Sequence, residues 1–97
     1  MQKKNKYPKP RVIAVDVDGT LFVNGELNES LVKWCKEKKD QGFHLMLWSM
    51  RGEKHARKAA SIAGLLEVSD VITSKPGYIV DNDGWSWIKY TEVVRGI

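Results

Sequence analysis

Three short apolar runs, each broken off by one polar residue, set the limits on how this chain folds. Val12-Ile13-Ala14-Val15 ends at Asp16, Phe43 to Trp48 ends at Ser49, and Tyr78-Ile79-Val80 ends at Asp81. A short continuous apolar run suits a strand buried on both faces, as in a parallel sheet. Between the first two runs, Asn28 is placed to cap a helix running to about Gln41, with Leu31, Trp34, Cys35 and Lys38 along one stripe and Gly42 as terminator. After the second run, Glu53 to about Leu66 predicts another helix, whose Ala56, Ala59, Ala60 and Ala63 form a small-residue face. Val71-Ile72 predicts a short third strand, which makes Tyr78-Ile79-Val80 the fourth. Leu21-Phe22-Val23 and Glu26-Leu27 flank Asn24-Gly25, a strong hairpin signal. Strands alternating with helices in this order predict an α/β fold with a parallel core.

The 97 residues suffice for one domain, predicted over residues 11–97 behind a basic arm at 1–10. The lone Cys35 rules out an intrachain disulfide and reads as a packed helix residue, consistent with a reducing, cytoplasmic setting. The N-terminus lacks the apolar run of a signal peptide, and no segment approaches the roughly 18 apolar residues of a membrane span. Net charge is +4, but Asp16, Asp18, Asp81 and Asp83 account for four of the 12 acidic residues. Without them the balance is 16 basic to 8 acidic, a +8 body around an acidic cluster. Such a field favours the approach of an anionic substrate.

In open parallel sheets the carboxyl ends of the strands form the ligand crevice. Asp16, Ser49 and Asp81 are therefore expected to converge on one edge. Asp16 and Asp18, one residue apart and joined there by Asp81 and Asp83, would repel one another unless a cation or a shifted protonation intervened. Carboxylates with backbone oxygens, and positions left open for water and phosphate, suit Mg²⁺.

The residues Asp16-Val17-Asp18-Gly19-Thr20, Ser49, Lys75 and Asp81, in that order, resemble the haloacid dehalogenase-like superfamily of phosphohydrolases. The resemblance spans Arg11 to Asp83 and implies a Rossmann-like three-layer fold with a small, mostly parallel sheet. It implies Asp16 as the nucleophile, attacking phosphorus to form an aspartyl-phosphate, and Asp18 as general acid and then base. Thr20 would order the loop, and Ser49 and Lys75 would bind phosphoryl oxygens. Asp81 would hold Mg²⁺ with an Asp16 oxygen and the Asp18 carbonyl, and Asp83 would support it. Ion-pumping members of the family carry Thr in place of the second aspartate, and dehalogenating members lack that acid, so Asp18 implies hydrolysis of a phosphomonoester.

Larger relatives insert cap domains, but the 33 residues from Asp16 to Ser49 and the 26 from Ser49 to Lys75 leave no room for one. Only the hairpin near residues 21–27 is left to act as a flap. A capless site is open to macromolecular as well as small phosphorylated substrates. Arg51 stands beside the second motif as a further phosphate contact, and it or Lys54 is the alternative anchor to Lys75. The question arises because Lys75 and Asp81 are only six residues apart, whereas a parallel crossover needs about a dozen. Arg51, Lys54, Arg57 and Lys58 along the second helix, the lysines of the arm, and Trp85 and Trp87 suggest nucleic acid, but a solvated helix face, a disordered tail and packing aromatics are favoured. His55 is read as a surface residue, with approach to the substrate from the loop end of its helix as the alternative; His44 is read as part of a strand face, and Trp34 and Trp48 as core. The alternative functions are a catalytically weak nucleic-acid-binding or interaction module, or a phosphatase acting on nucleic-acid ends. The 14 residues after Asp83 allow one more short strand around Trp87 to Val94, and a homo-oligomer covering a sheet edge is a further expectation.

Overall fold

A computed structural model describes residues 8–86, 88 and 91–97. The first two apolar runs form β1 (Val12–Asp16) and β4 (His44–Ser49), and the third strand of their sheet is β5 (Val71–Ser74). Between β1 and β4 lie the two-residue strands β2 (Phe22–Val23) and β3 (Glu26–Leu27) and the helix α1 (Glu29–Asp40). The second helix, α2 (Glu53–Ala63), connects β4 to β5. The sheet order is β1-β4-β5, all parallel, with Asp16 opposite Trp48, Trp48 opposite Thr73, and Ser49 opposite Ser74. The fold is α/β with a small parallel sheet.

Both crossovers step the same way across the sheet, and the right-handed rule then puts both helices on one face. Side-chain burial agrees. Val15, Leu45 and Leu47 are buried in one cluster with Leu31 and Cys35 of α1 and Ala56, Ala59, Ala60 and Ala63 of α2. The alternate positions turn the other way: Val12 and Ala14 are exposed, and Met46 and Trp48 are half-buried. The described residues therefore form two layers where three were expected. Trp48 lies outside the buried core for the same reason, while Trp34 packs against it. Burial pushes the Cys35 thiol up to about 11, leaving a packed, protonated side chain.

Local signals fixed several boundaries. Asn24 and Gly25 both take positive φ, 52° and 78°, the requirement of the hairpin turn between β2 and β3. Asn28 caps α1, its Oδ1 accepting from the Leu31 amide at 3.2 Å. The second helix stops at Ala63, short of the expected Leu66. Gly64 turns left-handed there and the Leu65 amide bonds back to the Ala60 carbonyl at 2.8 Å, which seats Leu65 in the core.

The expected fourth strand is not formed. Tyr78 and Val80 are almost wholly exposed, and residues 75–83 lie outside the sheet. Pro76 and Gly77 are too few residues to carry the chain back to the opposite edge for another parallel strand. Nor do the described residues among 84–97 form a strand; Trp87 lies outside the described residues, as do residues 1–7 of the arm. Among the described residues, no helix is long and apolar enough to cross a membrane.

At the edge remote from Asp16, Asp70 ties three elements together. Its oxygens stand 2.6 and 2.5 Å from Lys39 Nζ in the last turn of α1, and one accepts from the Leu45 amide of β4 at 2.8 Å. His44 Nδ1 is 3.7 Å away. The Lys39 hydrogen bond, then the Leu45 amide, hold the Asp70 carboxyl below its ordinary pKa against a smaller effect of desolvation. A carboxyl lowered by folding adds stability above its unfolded pKa of about 4, and that stability is lost as pH falls through the folded value. Asp70→Asn should therefore lower the melting temperature at pH 7, and the gap to the parent chain should close in melts recorded at successively lower pH below about 4.

Candidate active site

Because the three strands run the same way, they leave the sheet at one edge. Asp16 ends β1, Ser49 ends β4 one residue beyond the position paired with Asp16, and Lys75 follows β5 directly. The Lys75 amide donates to the Ser49 carbonyl at 3.0 Å, extending the β4–β5 pairing by one bond. Asp16, Trp48 and Thr73 form one row across the sheet, and Lys75 shares the side-chain parity of Thr73. Its side chain passes over the Trp48 ring, with Nζ 5.9 Å from the ring centroid, and reaches Asp16 Oδ1 at 3.1 Å. Both side chains remain about one-third exposed. Lys75 thus enters the site along the sheet surface, despite the short spacing to Asp81.

After Asp16 the chain wraps around the Val17 carbonyl, which accepts from the amides of Thr20, Leu21 and Phe22 at 3.3, 2.9 and 3.0 Å. Val17 and Leu21 are buried beneath this loop, whereas Asp18, Gly19 and Thr20 face solvent. Thr20 Oγ1 donates to Asp16 Oδ2 at 3.3 Å, so Asp16 is held on one oxygen by Thr20 and on the other by Lys75. Asn28 braces the loop from outside, with Nδ2 donating to the Thr20 carbonyl at 3.3 Å and to the Ile97 carbonyl at 3.1 Å.

The Asp18 carboxylate points to the start of α2. His55 Nε2 lies 3.2 and 3.1 Å from its two oxygens, and Arg51 Nη1 is 3.5 Å from Oδ1. Ser49 is only 1% exposed, and its Oγ accepts from the Arg51 amide at 3.0 Å, which shapes the turn from β4 into α2. The expected Asp16, Asp18, Thr20, Ser49, Arg51 and Lys75 are therefore brought to one edge. His55, taken as a surface residue from the sequence, belongs with them. The available signal was its place in the first turn of a helix that starts four residues after Ser49, on the site's own edge.

Asp81 and Asp83 are not brought in. Asp81 Oδ1 instead accepts from the Asp83 amide at 2.8 Å, and the Asp83 carbonyl accepts from the Ser86 hydroxyl at 2.7 Å, making an exposed turn of their own. Among the described residues no three acidic, histidine or cysteine side chains are grouped to hold a metal ion. The acidic donor that remains at the strand end is the Asp16 carboxylate, and a hard cation such as Mg²⁺ takes as few as one or two carboxylates. Comparison with protein-family models, curated proteins and solved structures yields no match for this chain.

Gly19 sits at φ +81°, and its amide donates to the Phe22 carbonyl at 2.8 Å. A Cβ there would meet no atom within 4 Å, so the cost of Gly19→Ala is purely that of the backbone conformation. Chemical denaturation should show a loss of about 1–2 kcal/mol, the usual penalty for an L-residue in the left-handed region.

Proposed function

We propose that this chain is a magnesium-dependent phosphomonoester hydrolase of the haloacid dehalogenase-like type, working through an aspartyl-phosphate on Asp16. One observation carries the reading: Lys75 Nζ stands 3.1 Å from Asp16 Oδ1 at the edge where Ser49 ends β4 and Asp18 follows β1. A nucleophilic carboxylate beside a fixed cation is what in-line phosphoryl transfer needs, since its transition state spreads negative charge over the phosphoryl oxygens. On this reading the sheet is the parallel half of a Rossmann-like domain, and the uncapped edge admits the phosphorylated end of a small or a macromolecular substrate.

The chemistry takes two steps. Asp16 attacks phosphorus, the bond from phosphorus to the leaving oxygen breaks, and Asp18 gives that oxygen its proton. Asp18, now a carboxylate, takes a proton from water, whose oxygen attacks the phosphorus; inorganic phosphate leaves and Asp16 is restored. Thr20 keeps the second Asp16 oxygen turned away from the attack, and Lys75 moves from Asp16 to the arriving phosphoryl oxygens. Arg51 is the exposed second cation at the mouth, and the Ser49 hydroxyl supplies a hydrogen bond from the floor. Asp16 and the Asp18 carbonyl would hold Mg²⁺. When bound, the ion neutralises charge on the phosphoryl group.

Phosphate release from p-nitrophenyl phosphate tests the reading. Activity should require Mg²⁺ and disappear with EDTA. Asp16→Asn should lose on the order of 10⁴-fold or more in kcat, and Lys75→Ala about 10²- to 10³-fold. Asp16→Asn turning over at the parental rate would refute it.

A further inference from the structure

The Asp18 carboxylate is half-exposed, on a loop whose backbone is fixed but whose side chain would swing freely in water. A general acid works only when its proton points at the leaving oxygen, so free rotation of this group would waste most encounters. The only ring within hydrogen-bond reach of it among the described contacts is His55, which is itself three-quarters buried.

We infer that His55 is a positioning residue for Asp18. The inference rests on the proposed phosphatase chemistry and extends it to a residue outside the recognised motifs. His55 Nε2 stands nearly equidistant from the two Asp18 oxygens, at 3.2 and 3.1 Å. An N–H held between two carboxylate oxygens occupies the inward lone pairs of both, so the proton that Asp18 transfers is carried on an outward lone pair. The imidazole is anchored in turn by its helix. His55 is the third residue of α2, and the next residue, Ala56, is fully buried against the sheet. The first turn of α2 also lies at the edge where Asp18 lies, which brings the ring within reach of the carboxylate. Arg51 touches one Asp18 oxygen from 3.5 Å but is two-thirds exposed, so it adds charge without fixing the orientation.

A positioning role for the acid has a signature that a merely structural role lacks. Protonating the leaving group matters greatly for an alkoxide and little for p-nitrophenolate, which leaves without help. His55→Ala should therefore lower kcat/KM for ethyl phosphate by about 100-fold, yet for p-nitrophenyl phosphate by less than about fivefold. Because kcat/KM reports the steps through phosphoryl transfer, the later hydrolysis of the phosphoenzyme does not blur the comparison. His55→Gln, which keeps a side-chain N–H, should recover at least about tenfold of the ethyl phosphate loss. Ring ¹⁵N shifts of His55 in the full chain should show a protonated Nε2 that responds to Asp18→Asn. Equal losses on the two esters, or an unprotonated Nε2 indifferent to Asp18→Asn, would overturn the assignment. A parent chain inactive on both esters would instead overturn the phosphatase chemistry, and this role with it.

Discussion

Three parallel strands in fixed register govern everything else in this molecule. A parallel pair sends both its carboxyl ends to the same edge, so β1, β4 and β5 deliver Asp16, Ser49 and Lys75 to one place without any of the three being near another in sequence. The same register divides labour between the faces. Val15 and Leu47 pair on the helix-covered side and form the core, whereas Asp16, Trp48 and Thr73 make a row on the other. A slip of one residue in β1 would turn the carboxylate toward the core, and one in β4 would turn the leucine out of it.

The loop after β1 converts that alignment into a shaped site. The amides of Thr20, Leu21 and Phe22 converge on a single carbonyl, that of Val17, and the loop's apolar members Val17 and Leu21 sink into the core while Asp18 and Thr20 stay at the surface. Asn28 then couples the loop to α1 and to the chain's end: one side chain caps the helix and donates to the carbonyls of Thr20 and Ile97. At the opposite edge Asp70 performs the corresponding task for α1 and β4. The sheet is thus fastened at both ends by side chains that bond to backbone, the commonest way a small domain fixes its irregular parts.

Much of this was legible in the sequence wherever one residue type answers one physical demand. Apolar runs cut off by Asp16 and Ser49 gave the strand ends, Asn24-Gly25 gave the left-handed hairpin turn, and Asn28 gave the helix cap. Three readings went astray where the outcome depends on the rest of the fold. Tyr78-Ile79-Val80 has the composition of a strand, but composition carries no information about whether the connection is long enough to return it to the sheet. Trp48 is apolar, yet its burial was decided by parity and by both helices sharing one face. His55 was favoured as a surface residue because its own segment is polar; its position at the loop end of the helix pointed the other way, and the contact with Asp18 follows from that helix starting where β4 ends. Asp81 and Asp83 followed the misplaced strand and now bond within their own turn.

The path of Lys75 across Trp48 has a consequence of its own. An indole's emission is sensitive to a charge near its ring, and here that charge belongs to the cation that pairs with Asp16. Any anion that draws the ammonium away from Asp16 also moves it relative to the ring. Trp48 is therefore placed so that its emission reports any movement of the lysine between the carboxylate and another anion.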